Sequence, residues 1–340
     1  MLFFNVFFRT LGFLSALLIF LVIINILLHF SNNIQKNQFV MTDGIESSDN
    51  IIGNINLNGP IFNNNKDVLS NNFYDYINPE QVKTYLEELK RIKIKVLLIN
   101  INSPGGTVSA TAELEKILHE FKKETNTKVY FYTKEILASG GYWVATTADK
   151  IFASYGSIIG SIGVSGPSWF YYNKPISLSS GIFGQSIETK DGIEVFNQNA
   201  GEGKDLFNPY RRPKTDEIKH LQNIVNDVYN VFINKVSKSR KIEISNLRDN
   251  IGALIYSSNQ AKKNFLIDDI LSYENVIKLI SKENEFIDYK IYENKISNSF
   301  PRNLLVKFED QANNKYSFKN ICRNLETNIS VVVPIYLKDC

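Results

Sequence analysis

The sequence predicts an α/β fold, because short apolar runs of strand character alternate with helical patterns across sharp small-residue turns. Two such junctions are the clearest. Lys95–Ile101 leads through Asn102-Ser103-Pro104-Gly105-Gly106 into a helix over Ala110–Lys123, and Val129–Thr133 leads through Ala138-Ser139-Gly140-Gly141-Tyr142 into a helix ending near Ala148. A third observation is a single long amphipathic helix after Pro213, in which Ile218, Leu221, Val225, Val228, Phe232 and Val236 recur at spacings of three and four. That stripe is expected to be core.

The elements follow in order. Leu11–Leu28 is an apolar run of 18 residues broken only by Gly12, Ser15 and Asn25. As a helix it spans about 27 Å, close to the ~30 Å hydrocarbon core of a bilayer. It is longer than the apolar stretch of a cleaved signal peptide, and His29-Phe30-Ser31-Asn32-Asn33 offers no Ala-x-Ala-like cleavage site, so a retained membrane anchor over residues 1–30 is expected. Arg9 before the run and Lys36 after it bias the N-terminus toward the cytoplasm only slightly. Ser31–Asn50 is polar and reads as a flexible tether. Ile51–Phe62 predicts a first strand, and Asn78-Pro79 opens a helix as N-cap and first position, running to about Arg91. Lys150–Ala153 is a short strand, and shorter helices are expected near Ser258–Asn264 and Tyr273–Ile280. The main domain is placed at 51–282, with 283–340 a C-terminal extension of unknown role.

With 340 residues, 44% of them hydrophobic, the chain can bury a substantial core. A net charge of +3, without runs of Lys and Arg interleaved with aromatics, excludes nucleic acid as an expected partner. Cys322 and Cys340 have no nearby His, so zinc is not expected and two unpaired thiols are the preferred reading.

The two turns carry the chemistry. A Ser among small residues at a strand-to-helix turn exposes its hydroxyl, and a Gly pair at a neighbouring strand end aims bare N–H groups at a developing oxyanion. Ser139 is therefore the candidate nucleophile, and Gly105, Gly106 and Gly140 are candidate oxyanion donors. Ser103, before Pro104, reads as a turn-shaping residue. The only histidines are His29, His119 and His220, none lying between the Ser139 turn and the long helix. A Ser-His-Asp triad therefore fits poorly, and a lysine base, neutral when burial favours the uncharged form, fits better.

These residues resemble the bacterial signal peptide peptidases, membrane-anchored Ser-Lys proteases with a Clp protease/crotonase-like fold. The matching segments are Ile101–Gly106, Ala138–Tyr142 and Gly160-Ser161-Ile162-Gly163-Val164. Weaker matches are Ala200–Asp205 and the stretch from Gln260-Ala261 to Leu266-Ile267-Asp268. The resemblance covers roughly Ile51–Ile280. It implies that Lys204, in Gly201-Glu202-Gly203-Lys204, is the general base, and that Ser161 orients it. Lys204 lies 65 positions after Ser139 (204 − 139), a long interval that an insertion near Ser177–Ile193 would explain. Lys190 is the alternative base. By the same resemblance the chain is a homo-oligomer in the cell inner membrane, with its catalytic domain facing the periplasm. It would hydrolyse remnant signal peptides or membrane protein fragments without any metal or organic cofactor. A crotonase-type acyl-CoA enzyme and a catalytically inactive peptide-binding scaffold are the other readings.

Overall fold

The structure, a computed structural model, describes residues 2–33, 38–63, 76–171, 179–181, 184–186, 200, 203–294 and 330–332. Lys190, Cys322 and Cys340 lie outside them. The chain divides into two units, Met1–Val40 and Met41–Cys340.

The first unit is dominated by α1 (Leu2–Asn33), a helix of 32 residues without an acidic first turn or a basic last turn. Phe8, Phe13, Leu14, Leu18 and Phe20 on it are exposed. Among the described residues no helix is long and apolar enough to cross a membrane; the side chains of residues 2–5, 21 and 24–33 of α1 fall outside that set.

After α1 the elements in chain order are β1 (Phe39–Gly44), β2 (Ile51–Asn58), α2 (Pro79–Ile92), β3 (Val96–Asn102), β4 (Gly105–Thr107), α3 (Val108–Thr125), β5 (Lys128–Thr133), β6 (Ile136–Ala138) and α4 (Gly140–Ala145). The chain continues with β7 (Lys150–Ala153), β8 (Ile158–Gly160), β9 (Ser179–Gly181), β10 (Gly184–Ser186) and α5 (Thr215–Arg240). A short turn α6 (Ile244–Asn246), β11 (Ile255–Ser257), α7 (Ser258–Lys263), β12 (Asp269–Ile270), α8 (Tyr273–Glu283), β13 (Lys290–Asn294) and β14 (Ser330–Val332) complete it. The α/β class expected from the sequence is therefore present.

The main sheet has seven strands in the order β1-β13-β2-β3-β5-β7-β12, and β13, β2, β3, β5, β7 and β12 pair in parallel. Parallel strands buried on both faces read as nearly continuous apolar runs, and β3 is one: Val96 to Ile101 are all buried, with Asn100 the one polar residue among them. Successive side chains serve opposite layers. Ile52, Val96 and Leu98 share a cluster with Val276, Ile277 and Ile280 of α8. On the other face, a Cβ at Gly53 would come within 2.9 to 3.1 Å of Ile94 and Leu89, at the end of α2. Asn78 caps α2 by accepting from Glu80 and Gln81 N–H, contributing about 1 kcal/mol.

Two sequence expectations need correction. The tether over 31–50 is not without structure, since α1 continues to Asn33 and Phe39–Gly44 forms β1. The extension after residue 282 is not separate from the domain, because β13 lies within the main sheet, in parallel register with β2. Side-chain amides tie it there. Asn294 Oδ1 accepts from Asn56 N–H at 2.7 Å, Asn56 Nδ2 donates to Glu293, and Asn100 Nδ2 donates to Asn56 Oδ1 at 2.8 Å.

The stripe on α5 is also only partly core. Phe232, Ile233 and Val236 are buried, but Leu221, Val225 and Val228 are half-covered and Ile218 is 53% exposed. The buried end packs on α4 through Phe232, whose ring stacks on Trp143 at 5.0 Å. Beneath it, Glu115 of α3 is buried and accepts from Trp143 Nε1 at 2.8 Å and from Lys235 Nζ at 2.7 Å. This carboxylate joins α3, α4 and α5. Glu115→Ala is expected to lower stability by about 2–3 kcal/mol, since it strands a buried indole N–H and a half-buried ammonium. Denaturant unfolding checks this, with Glu115→Gln, which keeps one acceptor, losing less; an unchanged midpoint in Glu115→Ala would refute the role.

Candidate active site

The site is assembled at one end of the sheet, where β3 stops. Asn102 ends the strand and locks the loop that leads to Ser139. Its Oδ1 accepts from Thr133 Oγ1 (3.1 Å), Lys134 N–H (3.0 Å) and Glu135 N–H (2.9 Å), while its Nδ2 donates to Asn58 Oδ1 (3.1 Å). In the sequence this clamp shows only as a polar residue at the end of an apolar run.

Ser103 is fully buried and fixes the next step. Its N–H donates to Ile136 O (2.8 Å), its carbonyl accepts from Ala138 N–H (3.1 Å), and its Oγ accepts from Gly105 N–H (3.2 Å). The turn-shaping reading of Ser103 agrees with these bonds. Through them β6 is held beside the Ser-Pro-Gly-Gly turn. Gly141 lies against the same residue, and a Cβ there would sit 3.0 Å from both Ser103 Cβ and Ser103 O.

Ser139 stands between β6 and α4 with φ 54° and ψ −122°. That region is strained for any residue with a Cβ, at a cost of roughly 1–3 kcal/mol. Its N–H donates to Gly160 O (2.9 Å), and its carbonyl accepts from Trp143 N–H (2.9 Å). The hydroxyl is different: Ser139 is 1% exposed, and its Oγ has no hydrogen-bond partner among the described residues. A buried hydroxyl left unpaired costs about 1–3 kcal/mol. Strain and an unsatisfied nucleophilic oxygen thus coincide on one side chain, at the head of a helix held by Tyr142, whose buried phenol donates to Leu266 O at 2.7 Å. Burial pushes the Tyr142 phenol up, outweighing the opposite pull of Arg240, so it stays a neutral donor.

The candidate oxyanion donors lie on α4 and on β4. Gly140 is the first residue of α4, and its N–H has no intrahelical acceptor. β4 packs against α4, with Gly105 at φ 111°. On one side of β4 the Gly105 carbonyl accepts from Ile61 N–H (2.8 Å) and Thr107 N–H donates to Ile61 O (3.0 Å). A trans peptide sets N–H and C=O on opposite sides, so Gly106 directs both its own groups away from Ile61. Glycine is required there, because a Cβ would fall 2.0 Å from Ile61 O. Gly105 gives its N–H to Ser103, whereas Gly106 presents its N–H to the far edge of β4.

Ser161 follows the carbonyl that Ser139 N–H meets. It is buried at φ 50°, and its N–H donates to Leu254 O at 2.7 Å. Lys204 is not brought to this cluster within the described residues of the chain. It sits in the turn 203–207, exposed, and no described residue pairs with its ammonium. Next to that turn, Trp169 packs on Phe207 (5.3 Å between rings) and under the Arg211 guanidinium (5.1 Å), and Arg211 pairs with Asp205 (2.6 Å) and Glu217 (2.7 Å). The guanidinium holds both carboxylates below their ordinary range. His119 and His220 are exposed and remote from this chemistry by role, His119 lying 3.6 Å from Glu115.

The sequence profile of peptidase family S49 matches residues 121–286, an interval that includes Ser139, Ser161 and Lys204. A protein of Enterococcus faecium described as signal peptide peptidase SppA is 31% identical over 217 residues, 63% of this chain and 59% of that protein. The chain thus spans well under two thirds of that relative's length. A protein of Methanocaldococcus jannaschii described as a protease is 31% identical over 240 residues, 66% of this chain and 72% of that protein. Among solved structures, the 1510-N membrane-bound stomatin-specific protease bound to a substrate peptide is 16% identical, with a TM-score of 0.42 over 77% of this chain and 98% of that one.

Proposed function

This chain belongs to peptidase family S49, and we propose that it is a membrane-anchored serine endopeptidase that cleaves extended apolar peptides with a Ser139–Lys204 dyad. The observation that carries the reading is Ser139 itself, strained, buried and without a partner for its hydroxyl at the head of α4. Its Oγ attacks the scissile carbonyl carbon as Lys204 Nζ takes the hydroxyl proton. The N–H groups of Gly106 and Gly140, with Gly105 a third candidate, hold the oxyanion, each such donor being worth roughly 3–4 kcal/mol in the transition state. Collapse of the tetrahedral intermediate expels the amine, which leaves with the proton returned by Lys204. Water then cleaves the acyl-enzyme by the same route. Ser161, one residue past the Gly160 carbonyl, is assigned to orienting the lysine. No step calls for a metal or organic cofactor.

The anchor is assigned to α1, whose 32 residues would span about 48 Å, more than a bilayer core. With Leu11–Leu28 in the inner membrane, the second unit faces the periplasm, and remnant signal peptides or membrane protein fragments are the substrates. A homo-oligomer accounts for the half-covered stripe of α5 and for the solvent exposure of Lys204 in the single chain.

In detergent micelles, the full chain should hydrolyse an extended apolar peptide and take up one fluorophosphonate, on the fragment that contains Ser139. Labelling at another residue, or turnover of an acyl-CoA thioester in place of the peptide, would overturn the assignment. A separate expectation is that the chain stays in membranes after an alkaline wash with residues 11–28 still attached. A mature N-terminus near Ser31 would show a cleaved signal instead.

A further inference from the structure

A group of buried oxygens on the α8 side of the main sheet takes no part in the chemistry assigned to Ser139. Ile52 of β2, Leu98 of β3 and Ile291 of β13 share a cluster with Val276, Ile277 and Ile280 of α8. Strand alternation sends Asn54, Asn56, Asn100 and Glu293 to the same side, nearer the carboxyl ends of their strands. In register, Glu293 stands opposite Asn54 and Asn100 opposite Asn56.

The hydrogen bonds among these side chains run one way. An ionised Glu293 only accepts, so Asn56 turns its Nδ2 to Glu293 Oε1 and faces Asn100 with its Oδ1. Asn100 must meet that oxygen with its own Nδ2, at 2.8 Å, and its Oδ1 then has no partner among the described residues. Asn54 ends in the same state: its Nδ2 donates to Tyr273 Oη at 3.1 Å, and its Oδ1 is unpartnered among the described residues. Asn54 is 1% exposed and Asn100 9%, so bulk water does not serve either oxygen. A buried acceptor without a donor is destabilising. Burial pushes the Tyr273 phenol up, and the charges of Glu293 and of exposed Asp43 push it the same way, so a negative field reaches this point. Lys134 rests over the Tyr273 ring, 5.4 Å from its centroid, and leaves the two amide oxygens unmet.

We propose that Asn54 Oδ1, Asn100 Oδ1 and the Glu293 carboxylate bind a hard cation of the calcium class, at a site separate from the residues assigned to catalysis. The donors are all oxygens, two amide carbonyls and a carboxylate. That set suits calcium, which takes about six to eight oxygens, and not the metals that draw on nitrogen and sulfur. Glu293 Oε1 takes the Asn56 bond, leaving Oε2 for the ion. Half-buried Asn56 and Glu293 give water access to the remaining positions. The carboxyl ends of parallel strands are also where open α/β sheets receive their ligands.

The test uses the full chain in detergent micelles and terbium(III), a calcium substitute whose emission is sensitised by nearby tyrosines. Tyr273 is at the site, and the Tyr132 ring lies 5.9 Å from it. Titration is expected to give sensitised emission that excess calcium removes. Calcium should also raise the melting temperature by several degrees over the chelator-treated chain, as a ligand bound only by the folded state must. Glu293→Gln keeps an acceptor for Asn56 Nδ2 and removes the charge, so it should fold as before and bind terbium about tenfold or more weakly. Asn54→Leu removes one orphaned oxygen and should weaken terbium likewise. Emission unchanged in both variants, or a melting temperature indifferent to calcium, would overturn the proposal. Neither reading depends on peptide hydrolysis, so the site stands or falls apart from the activity of Ser139.

Discussion

Ser139→Ala is expected to lower peptide hydrolysis by a factor on the order of 10⁴–10⁶, the loss seen when the nucleophile of a serine peptidase is removed. The fold should not suffer. In the native chain the Ser139 hydroxyl is buried without a partner, and the backbone sits at φ 54° and ψ −122°. Alanine removes the unpaired oxygen and keeps the strain, so the melting temperature should hold or rise. Ser139→Gly removes both the oxygen and the Cβ that makes this φ costly, and should melt higher than Ser139→Ala. Turnover retained in the alanine variant would dismiss Ser139 as nucleophile. A melting point several degrees below the native chain in both variants would mean that the serine is there for packing.

That ordering of stabilities comes from structure that no sequence pattern carries. The turn at Ser139 was legible because a serine flanked by small residues between an apolar run and a helix has few other uses. The parallel core was legible in the same way: Val96–Ile99 and Ile101 are apolar, as a strand covered on both faces demands, with Asn100 the one polar residue among them. Asn78-Pro79 and the Lys150–Ala153 strand also stand where capping and β-propensity put them. What was hidden depends on distant partners. Lys290–Asn294 has only five residues and carries Glu293 and Asn294, so nothing local marks it as a strand; its place is set by amide bonds to Asn56, over two hundred positions away. The same holds for Phe39–Gly44, which gains regular structure only from the neighbours it pairs with. The stripe on α5 misled for the opposite reason. Helical periodicity reports an apolar face but not what covers it, and here Phe232 stacks on Trp143 of α4 while Ile218 meets solvent.

Lys204→Ala is expected to abolish hydrolysis as completely as Ser139→Ala, and Lys190→Ala to leave it near the native rate. An ordinary lysine side chain is neutral in only about one molecule in 2,500 at pH 7. A lysine therefore serves as a base where burial against apolar neighbours disfavours its charge. The single chain offers Lys204 no such cover, for it is exposed in the turn 203–207 with no described partner. Ser139, by contrast, is buried with its Oγ waiting for an acceptor of its proton. Each residue lacks what the other would supply. If neighbouring subunits complete the dyad, activity should rise faster than linearly as dilute chains assemble. Mixing inactive Ser139→Ala with inactive Lys204→Ala chains should then restore a fraction of native activity, because some interfaces pair an intact serine with an intact lysine. No recovery at any ratio, with activity strictly proportional to concentration, would place both residues within one chain. A dead Lys190→Ala beside an active Lys204→Ala would move the base to Lys190.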